Sequence, residues 1–162
     1  MSSFWSNLIE EIAAVIEGEP DAIANLSNVA ALLFHALKER SEKGVNWAGF
    51  YRVVGEELVL SPFQGKVACI RLRKEKGVCG AAWANQKTYR VDDVHAFPGH
   101  IACDSASRSE LVTPVIVGDS VVAVIDIDAP VEAAFSVEDE RGVEALAALL
   151  AEHIQWTQLP SQ

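Results

Sequence analysis

The sequence predicts an α+β protein in which an antiparallel sheet carries helices from the N- and C-terminal ends of the chain. Three observations support this prediction: helical periodicity over the first forty residues, two hairpin patterns in the middle, and one amphipathic helix at the end. Strands grouped between terminal helices are typical of α+β folds, whereas strict alternation of strand and helix is typical of parallel sheets.

The first forty residues have the pattern of two helices. Leu8, Ile12 and Ile16 recur at helical spacing, and a second apolar stripe runs over residues 23–37. Pro20 and Asp21 separate the two stripes, as expected at a helix break. Both apolar stripes are expected to face the core.

The middle of the chain begins with a hairpin. The stretches "VNWAGFYRVV" and "EELVLSPF" read as strands joined by a turn from Val54 to Glu57, in which Gly55 can adopt a positive φ. "VACIRL" (67–72) reads as a further short strand, and "GVCGAAWANQ" reads as a helix. The glycines at 77 and 80 would allow a close approach to that helix's first turn.

A long loop precedes a second hairpin and the last helix. Residues 92–107 show no period, and loops of that length are commonly functional or disordered. "ELVTPVIV" and "SVVAVIDIDAP" are β-prone runs separated by "GD", a hairpin signal. The closing helix is expected to begin at Ser136, which can form a capping box with Asp139.

Composition limits the classes of function. The 162 residues fit one domain spanning 1–162, half of them are hydrophobic, and the net charge of −10 disfavours general binding to nucleic acid or anionic membranes. No apolar run is long enough to span a bilayer and no secretion signal is recognisable, so the expected location is the cytoplasm. Three cysteines without CxxC spacing argue against a disulfide framework and a four-cysteine zinc site.

Two carboxylates near the end of the last predicted strand form a candidate binding surface. Strand alternation places Asp126 and Asp128 on one face, about 6.6 Å apart, with Val122 and Val124 before them, while Val121 and Ala123 face the other way. Glu110 on the partner strand is within reach. A pocket of this kind favours a cation and raises the pKa of one carboxyl group. The alternative is that this face is exposed to solvent near the end of the strand.

Two aromatic residues flank a glycine on the first strand. Trp47, Gly49 and Tyr51 share one face, and the space left by Gly49 could admit a methyl or a small cation against the rings. The alternative is that both aromatics are ordinary core residues.

Cys103 lies in the long loop, where a thiol is expected to be accessible to a substrate. Cys103 needs a group that stabilises its thiolate, and the candidates are His95, His100, Arg108 or loop amides. A zinc site made of the two histidines and a cysteine is a competing idea, but no recognised ligand spacing is present.

With these residues in view, the sequence resembles the free methionine-(R)-sulfoxide reductases, small proteins with the GAF fold. The resemblance covers about residues 46–135 and its motifs are "NWAGFY", "SPFQGKVACIRL", "GVCG", "VHAFPGHIACDSASRSEL" and "VIDIDAP". Two departures are Val67, where proline is usual before Ala-Cys, and Arg108, where a small or amide residue is expected.

The resemblance implies a thiol mechanism with no bound cofactor. Cys103 would attack the sulfoxide of free methionine (R)-sulfoxide, Cys69 would resolve the resulting sulfenic acid as a disulfide, and a thioredoxin-type reductant would restore both thiols. Cys79 would be an auxiliary thiol. The substrate site would be lined by Trp47, Tyr51, Glu110, Asp126 and Asp128.

Two other functions stay open from sequence alone. A GAF sensor could bind a small cationic or zwitterionic ligand between the same groups, and a thiol redox switch could form the disulfide without consuming a sulfoxide. GAF domains often dimerise through terminal helices, so a homodimer is also possible by analogy. Which carboxylate would bind an ammonium and which would assist protonation is undecided.

Overall fold

The computed structural model describes residues 1–41, 44–100 and 103–160. Within these ranges the helices are α1 (Ser3–Ile16), α2 (Ala22–Arg40), α3 (Gly77–Asn85) and α4 (Val137–His153). The strands are β1 (Trp47–Val54), β2 (Glu57–Gly65), β3 (Arg71–Arg73), β4 (Tyr89–Val91), β5 (Ser109–Val117) and β6 (Ser120–Ala129). Single 3₁₀ turns lie at Val94–Ala96 and Trp156–Gln158.

The strands form one antiparallel sheet in the order β3-β2-β1-β6-β5-β4. The two predicted hairpins, β1–β2 and β5–β6, therefore meet through the β1–β6 pair. Helices α1, α2 and α4 bury their apolar stripes on one face of the sheet, and α3 covers part of the other face. The predicted α+β architecture is confirmed.

The predicted local signals are present at the element ends. The Asp21 side chain accepts a hydrogen bond from the Ala24 N–H (2.8 Å) and caps α2, and Gly55 has a φ of 59° in the first hairpin turn. Ser136 and Asp139 form the expected capping box at the start of α4. These contacts satisfy backbone groups that the helix ends leave without partners.

Two elements differ from the sequence prediction. Only the end of "VACIRL" is a strand, because β3 starts at Arg71 and the preceding residues take no part in the ladder. The strand β4 was not predicted, since three residues are too few to display a period. Ile101 and Ala102 of the predicted long loop lie outside the described residues.

A β-bulge changes the orientation of two valines on β6. Val115 pairs with Ala123 whereas Ile116 pairs with Val121, so Val122 is an extra residue on its strand. As a result Val121 joins Val124 in the core beneath α3, and Val122 packs on the face with the terminal helices. The expectation that Val122 shares the face of Asp126 and that Val121 does not is therefore wrong.

None of the helices that the structure describes has both the length and the apolar character needed to cross a membrane.

Candidate functional site

Three carboxyl groups lie together on the sheet face beneath α3. Across the β5–β6 ladder Glu110 pairs with Asp128, and Val112 pairs with Asp126, so all three acidic side chains project to one side. Glu110 is 7% exposed and Asp126 6% exposed, while Asp128 is partly exposed. These aspartates are not part of a solvated strand end, which was the alternative interpretation of this face.

Burial raises the pKa of all three carboxyl groups. The mutual repulsion with Asp126 raises the pKa of Glu110 and of Asp128 further, and Asp104 adds to the repulsion at Asp128. For Asp126 burial dominates, and hydrogen bonds with Glu110 and Cys79 partly oppose it. A cation placed among these groups would therefore relieve an electrostatic cost that the folded chain already bears.

The carboxyl cluster has spare hydrogen-bonding capacity. Asp126 Oδ1 is buried and has no donor among the described residues, although buried acceptors are almost always paired. Cys79 approaches from α3, with its Sγ 3.9 Å from Glu110 Oε1. Burial, and then the charge of Asp126, raise the pKa of the Cys79 thiol, so Cys79 is a neutral thiol rather than a thiolate.

Stacked aromatic rings form the wall beside the carboxyl groups. Trp47 pairs with Asp128 across the β1–β6 ladder, and its ring stacks on Tyr51 (centroids 5.8 Å) and on Phe63 (5.1 Å). Trp47 and Tyr51 are 3% and 2% exposed. Burial is the main cause that raises the pKa of Tyr51, so its hydroxyl is a hydrogen-bond donor.

Gly49 does not provide the expected opening between these rings. A Cβ at Gly49 would lie 2.3 Å from the Cβ of Phe63 and 2.9 Å from the carbonyl oxygen of Pro62. A register shift between β1 and β2 brings Phe63 over the glycine. The absence of a side chain at Gly49 therefore allows β2 to pack closely, and Phe63 of β2 occupies the space that was expected to hold a ligand.

Two of the three cysteines are joined above this face. Cys69, between β2 and β3, and Cys103, in the loop before β5, form a disulfide with a Cα–Cα distance of 5.5 Å. Both residues are partly exposed, whereas Cys79 is buried and is a free cysteine. The Tyr51 hydroxyl donates to the Cys69 carbonyl (2.9 Å), which connects the disulfide to the aromatic wall.

Hydrogen bonds fix the loop that carries Cys103. The Asn46 amide donates to Asp104 Oδ2 and to Ser107 Oγ, both at 3.1 Å, and the Ala106 N–H donates to Asp104 Oδ1 at 2.8 Å. Farther back along the chain, the Gly77 N–H at the start of α3 donates to the Gly99 carbonyl (3.0 Å). These contacts hold both flanks of the loop against β1 and α3.

Of the three side chains proposed to activate Cys103, all of them within the described residues, His100 lines the cavity beside Cys103, whereas His95 and Arg108 do not. Burial, and then the neighbouring His95, lower the pKa of His100, so its ring is mainly neutral at neutral pH. His95 stands behind it, with ring centroids 5.9 Å apart. The Arg108 guanidinium pairs instead with Glu132 (2.9 Å) and does not line the cavity.

The histidine–cysteine zinc site is not assembled by the fold. Among the described residues, one set of three potential ligands lies within 4.8 Å of one another, namely Cys79, Glu110 and Asp126. Neither histidine belongs to that set. The expectation that the protein uses no metal stays a prediction.

The cavity between these groups is small. Its volume is about 50 Å³, and its walls come from β1, β5, β6, the start of α3 and both loops that carry the disulfide. The lining residues include Trp47, Tyr51, Lys76, Cys79, His100, Cys103, Asp104, Ser107, Glu110, Asp126 and Asp128. The catalytic and substrate-binding residues that the resemblance implied all border this cavity except Cys69, which is bonded to Cys103. His95 and Arg108 do not line it.

Sequence reasoning missed three residues that shape the site. Phe63 was treated only as part of a strand, and Asn46 and Lys76 were assigned no role. Phe63 could not be predicted from strand alternation because a register shift between β1 and β2 places it on Gly49. Asn46 could not be predicted because its hydrogen-bond partner, Asp104, is 58 positions away in the sequence. Lys76 immediately precedes Gly77, the first residue of α3. That glycine was the feature of the sequence that indicated a ligand near the start of α3.

Comparison with known proteins agrees with this arrangement. Residues 24–155 match the GAF domain family. The chain is 44% identical to free methionine-R-sulfoxide reductase of Escherichia coli (strain K12) over 149 residues, which cover 92% of this chain and 87% of that protein. It is 42% identical to free methionine-R-sulfoxide reductase of Saccharomyces cerevisiae (strain ATCC 204508 / S288c) over 151 residues, which cover 88% of this chain and 83% of that protein.

A solved structure extends the similarity to three dimensions. The free methionine-R-sulfoxide reductase from Neisseria meningitidis, in complex with its substrate, superposes with a TM-score of 0.88 at 40% identity. The superposition covers 95% of this chain and 90% of that one. The chain therefore belongs to the free methionine-R-sulfoxide reductases, a family of oxidoreductases built on the GAF domain.

Proposed function

We propose that this protein reduces free L-methionine (R)-sulfoxide to L-methionine through a sulfenic acid on Cys103 and an intramolecular disulfide with Cys69. The observation that carries the proposal is the position of the Cys69–Cys103 disulfide at a cavity whose floor holds Glu110, Asp126 and Asp128. The names of the relatives support the same substrate, and the Neisseria meningitidis relative has been solved with its substrate bound.

The acidic floor accounts for a preference for the free amino acid. Glu110, Asp126 and Asp128 bind the substrate ammonium, a group that methionine within a peptide lacks. The unpaired Oδ1 of Asp126 accepts one of its N–H bonds. Trp47 and Tyr51 enclose the side chain and the sulfoxide methyl, for which buried aromatic faces are suited.

The chemical step transfers oxygen from sulfur to sulfur. His100 accepts the proton of the Cys103 thiol, and the thiolate attacks the sulfoxide sulfur while a protonated carboxyl group of the floor donates a proton to the oxygen. The sulfoxide sulfur gains two electrons and leaves as methionine, and the Cys103 sulfur loses two electrons and carries the hydroxyl. The raised pKa of the carboxyl groups keeps such a proton available near neutral pH.

A second thiol completes the cycle. The Cys69 sulfur attacks the Cys103 sulfenic acid, water leaves, and an external thioredoxin-type dithiol then reduces the disulfide. Cys79 acts as an auxiliary thiol beside Glu110. No bound cofactor is needed for these steps, and the cytoplasmic location and homodimer inferred from sequence stay predictions.

The oxidised form has no room for substrate. An apolar cavity that admits benzene has a volume of roughly 150 Å³, and the cavity below the closed disulfide has about 50 Å³. Substrate therefore binds after the disulfide has been reduced, so that the reductant acts before each new turnover.

The proposal predicts which substrates yield methionine. We expect the reduced protein with dithiothreitol to form methionine from free methionine (R)-sulfoxide, and to act at least about 100-fold more slowly on the (S) diastereomer and on N-acetylmethionine (R)-sulfoxide, because the latter has lost its ammonium. Separate incubation with each substrate, followed by chromatographic measurement of the methionine or N-acetylmethionine formed, gives all three rates.

The same assay separates the competing functions. Binding of the free sulfoxide without product would identify a sensor, and peroxide-driven formation of the disulfide without binding or product would identify a redox switch. Either outcome, or equal rates with the acetylated compound, would contradict the proposed function.

A further inference from the structure

The segment that carries Cys69 has a fixed backbone. Residues 66–70 connect β2 to β3 without joining the ladder. Three of its carbonyl groups accept hydrogen bonds from the sheet: Lys66 from Trp47 Nε1 (3.2 Å), Cys69 from the Tyr51 hydroxyl (2.9 Å) and Ile70 from the Leu60 N–H (2.9 Å). The orientation of the side chains on this segment is therefore set by the fold.

This fixed backbone presents two apolar side chains to solvent beside the disulfide. Val67 is 88% exposed and Ile70 is 68% exposed, and among the described residues these are the two most exposed large apolar side chains. They flank Cys69 in sequence. Single exposed apolar residues are common on protein surfaces, but two that are held beside a disulfide are placed to contact a molecule that approaches this bond.

The surroundings of this apolar pair are basic, although the whole chain is acidic. Five of the 13 lysines and arginines lie within residues 66–76, where Glu75 is the single acid, while the net charge of the chain is −10. All five basic residues are exposed: Lys66, Arg71, Arg73, Lys74 and Lys76. The charge of Arg71 is paired with Glu57 (2.9 Å), so Lys66, Arg73, Lys74 and Lys76 supply most of the positive character. A negatively charged partner is therefore attracted to this segment, whereas the acidic remainder of the chain repels it.

We propose that Val67, Ile70 and the basic residues of 66–76 form the docking surface for an acidic protein dithiol that reduces the Cys69–Cys103 disulfide. The inference rests on the proposed function, which requires reduction of this bond in every cycle. An apolar contact patch with a basic rim, centred on one sulfur of a partly exposed disulfide, fits a protein whose reactive thiol lies on an apolar, negatively charged surface.

The surface also determines which sulfur is attacked. The thiolate of the partner attacks Cys69 Sγ, the Cys69–Cys103 bond breaks, and Cys103 leaves with the electron pair as a thiolate. The partner's second thiol then attacks the mixed disulfide and releases Cys69, so the partner carries away the disulfide. Lys76 lines the cavity into which the Cys103 thiolate is released, and its positive charge favours the thiolate.

The test compares a protein reductant with a small one. In the variant Ile70→Ser/Lys74→Glu we expect the rate constant for reduction of the disulfide by thioredoxin to fall by at least roughly tenfold. The rate constant with dithiothreitol should change by less than about twofold, because a small dithiol needs no docking surface. Alkylation of the freed thiols, followed by gel electrophoresis, measures both rates without any sulfoxide.

A matched variant serves as the control. Ile23 is also an exposed apolar residue, at 58%, and Lys87 lies over the Tyr89 ring at 5.0 Å as Lys74 lies over the Trp83 ring at 4.9 Å. Ile23→Ser/Lys87→Glu should therefore keep both rates. Added salt should slow reduction of the wild type by thioredoxin and have little effect on the Ile70→Ser/Lys74→Glu variant.

Two results would overturn the docking surface. One is an unchanged thioredoxin rate in the Ile70→Ser/Lys74→Glu variant, and the other is an equal loss with thioredoxin and dithiothreitol, which would indicate a distorted disulfide. Since this assay contains no substrate, failure of the proposed function appears separately, as an absence of methionine with dithiothreitol.

Discussion

Cys103→Ser is expected to abolish methionine formation, with a fall in rate of at least about 1000-fold, because a hydroxyl cannot replace the thiolate that receives the oxygen. The fold should be unaffected, since Cys103 is partly exposed and the exchange of sulfur for oxygen is small. Chromatographic measurement of methionine in the presence of dithiothreitol tests this. Steady multiple turnover by the variant would refute the role of Cys103.

The other two cysteines provide internal controls. Cys69→Ser should release about one equivalent of methionine per chain and then stall with thioredoxin as reductant, leaving a sulfenic acid that a dione trap labels on Cys103. Cys79→Ser should keep continuous turnover, because Cys79 is buried and its thiol is held in the neutral form. If the dione trap does not label Cys103 after Cys69→Ser has stopped turning over, the oxygen is not transferred to Cys103 and its proposed role is wrong.

Asp126→Asn is expected to lower kcat/KM for free methionine (R)-sulfoxide by about 100-fold, since it removes one partner of a buried charge pair in the complex. The reaction with N-acetylmethionine (R)-sulfoxide should change little, because that compound has no ammonium to lose. Asp119→Asn, at the exposed β5–β6 turn, removes the same charge away from the cavity and should leave both rates intact. Equal losses with the two substrates would assign Asp126 a role other than binding the ammonium.

The same substitution should stabilise the folded protein in a pH-dependent way. Burial raises the pKa of Asp126 in the folded state, so the folded chain binds more protons than the unfolded chain as pH rises above the ordinary carboxyl range. The wild type therefore loses stability through that window, and the loss is complete above the raised pKa. Asp126→Asn should gain roughly 0.5–2 kcal/mol at pH 8 and progressively less as the pH approaches 4, as measured by urea unfolding.

The parts of the site that follow strand alternation were accessible from sequence. Asp126 and Asp128 share a face because β6 is regular over that stretch. The position of Glu110 depends on the bulge as well, since the register at the "GD" turn alone would pair Glu110 with Ile127, and the extra residue at Val122 places it opposite Asp128. The helices and both hairpins were predicted for the same reason, since each depends on neighbours along the chain.

The parts that depend on departures from regular pairing were not accessible. One extra residue at Val122 exchanged the faces of two valines, and a register shift brought Phe63 onto Gly49. Each irregularity depends on packing between strands, which leaves no period in a single sequence. The hydrogen bond from Asn46 to Asp104 is of the same kind, since it joins segments that only the folded sheet brings together.

The covalent link between Cys69 and Cys103 spans 34 positions and encloses β3, α3 and β4 in a ring. In the chain-entropy account, a ring of this size makes the denatured ensemble less favourable by about 4 kcal/mol. Under the proposed mechanism, the protein would alternate once per turnover between a cyclised chain that resists unfolding and a linear chain that is easier to unfold and to degrade. Its most vulnerable state is the one that is ready to act, so a steady supply of oxidised metabolite protects the protein that consumes it.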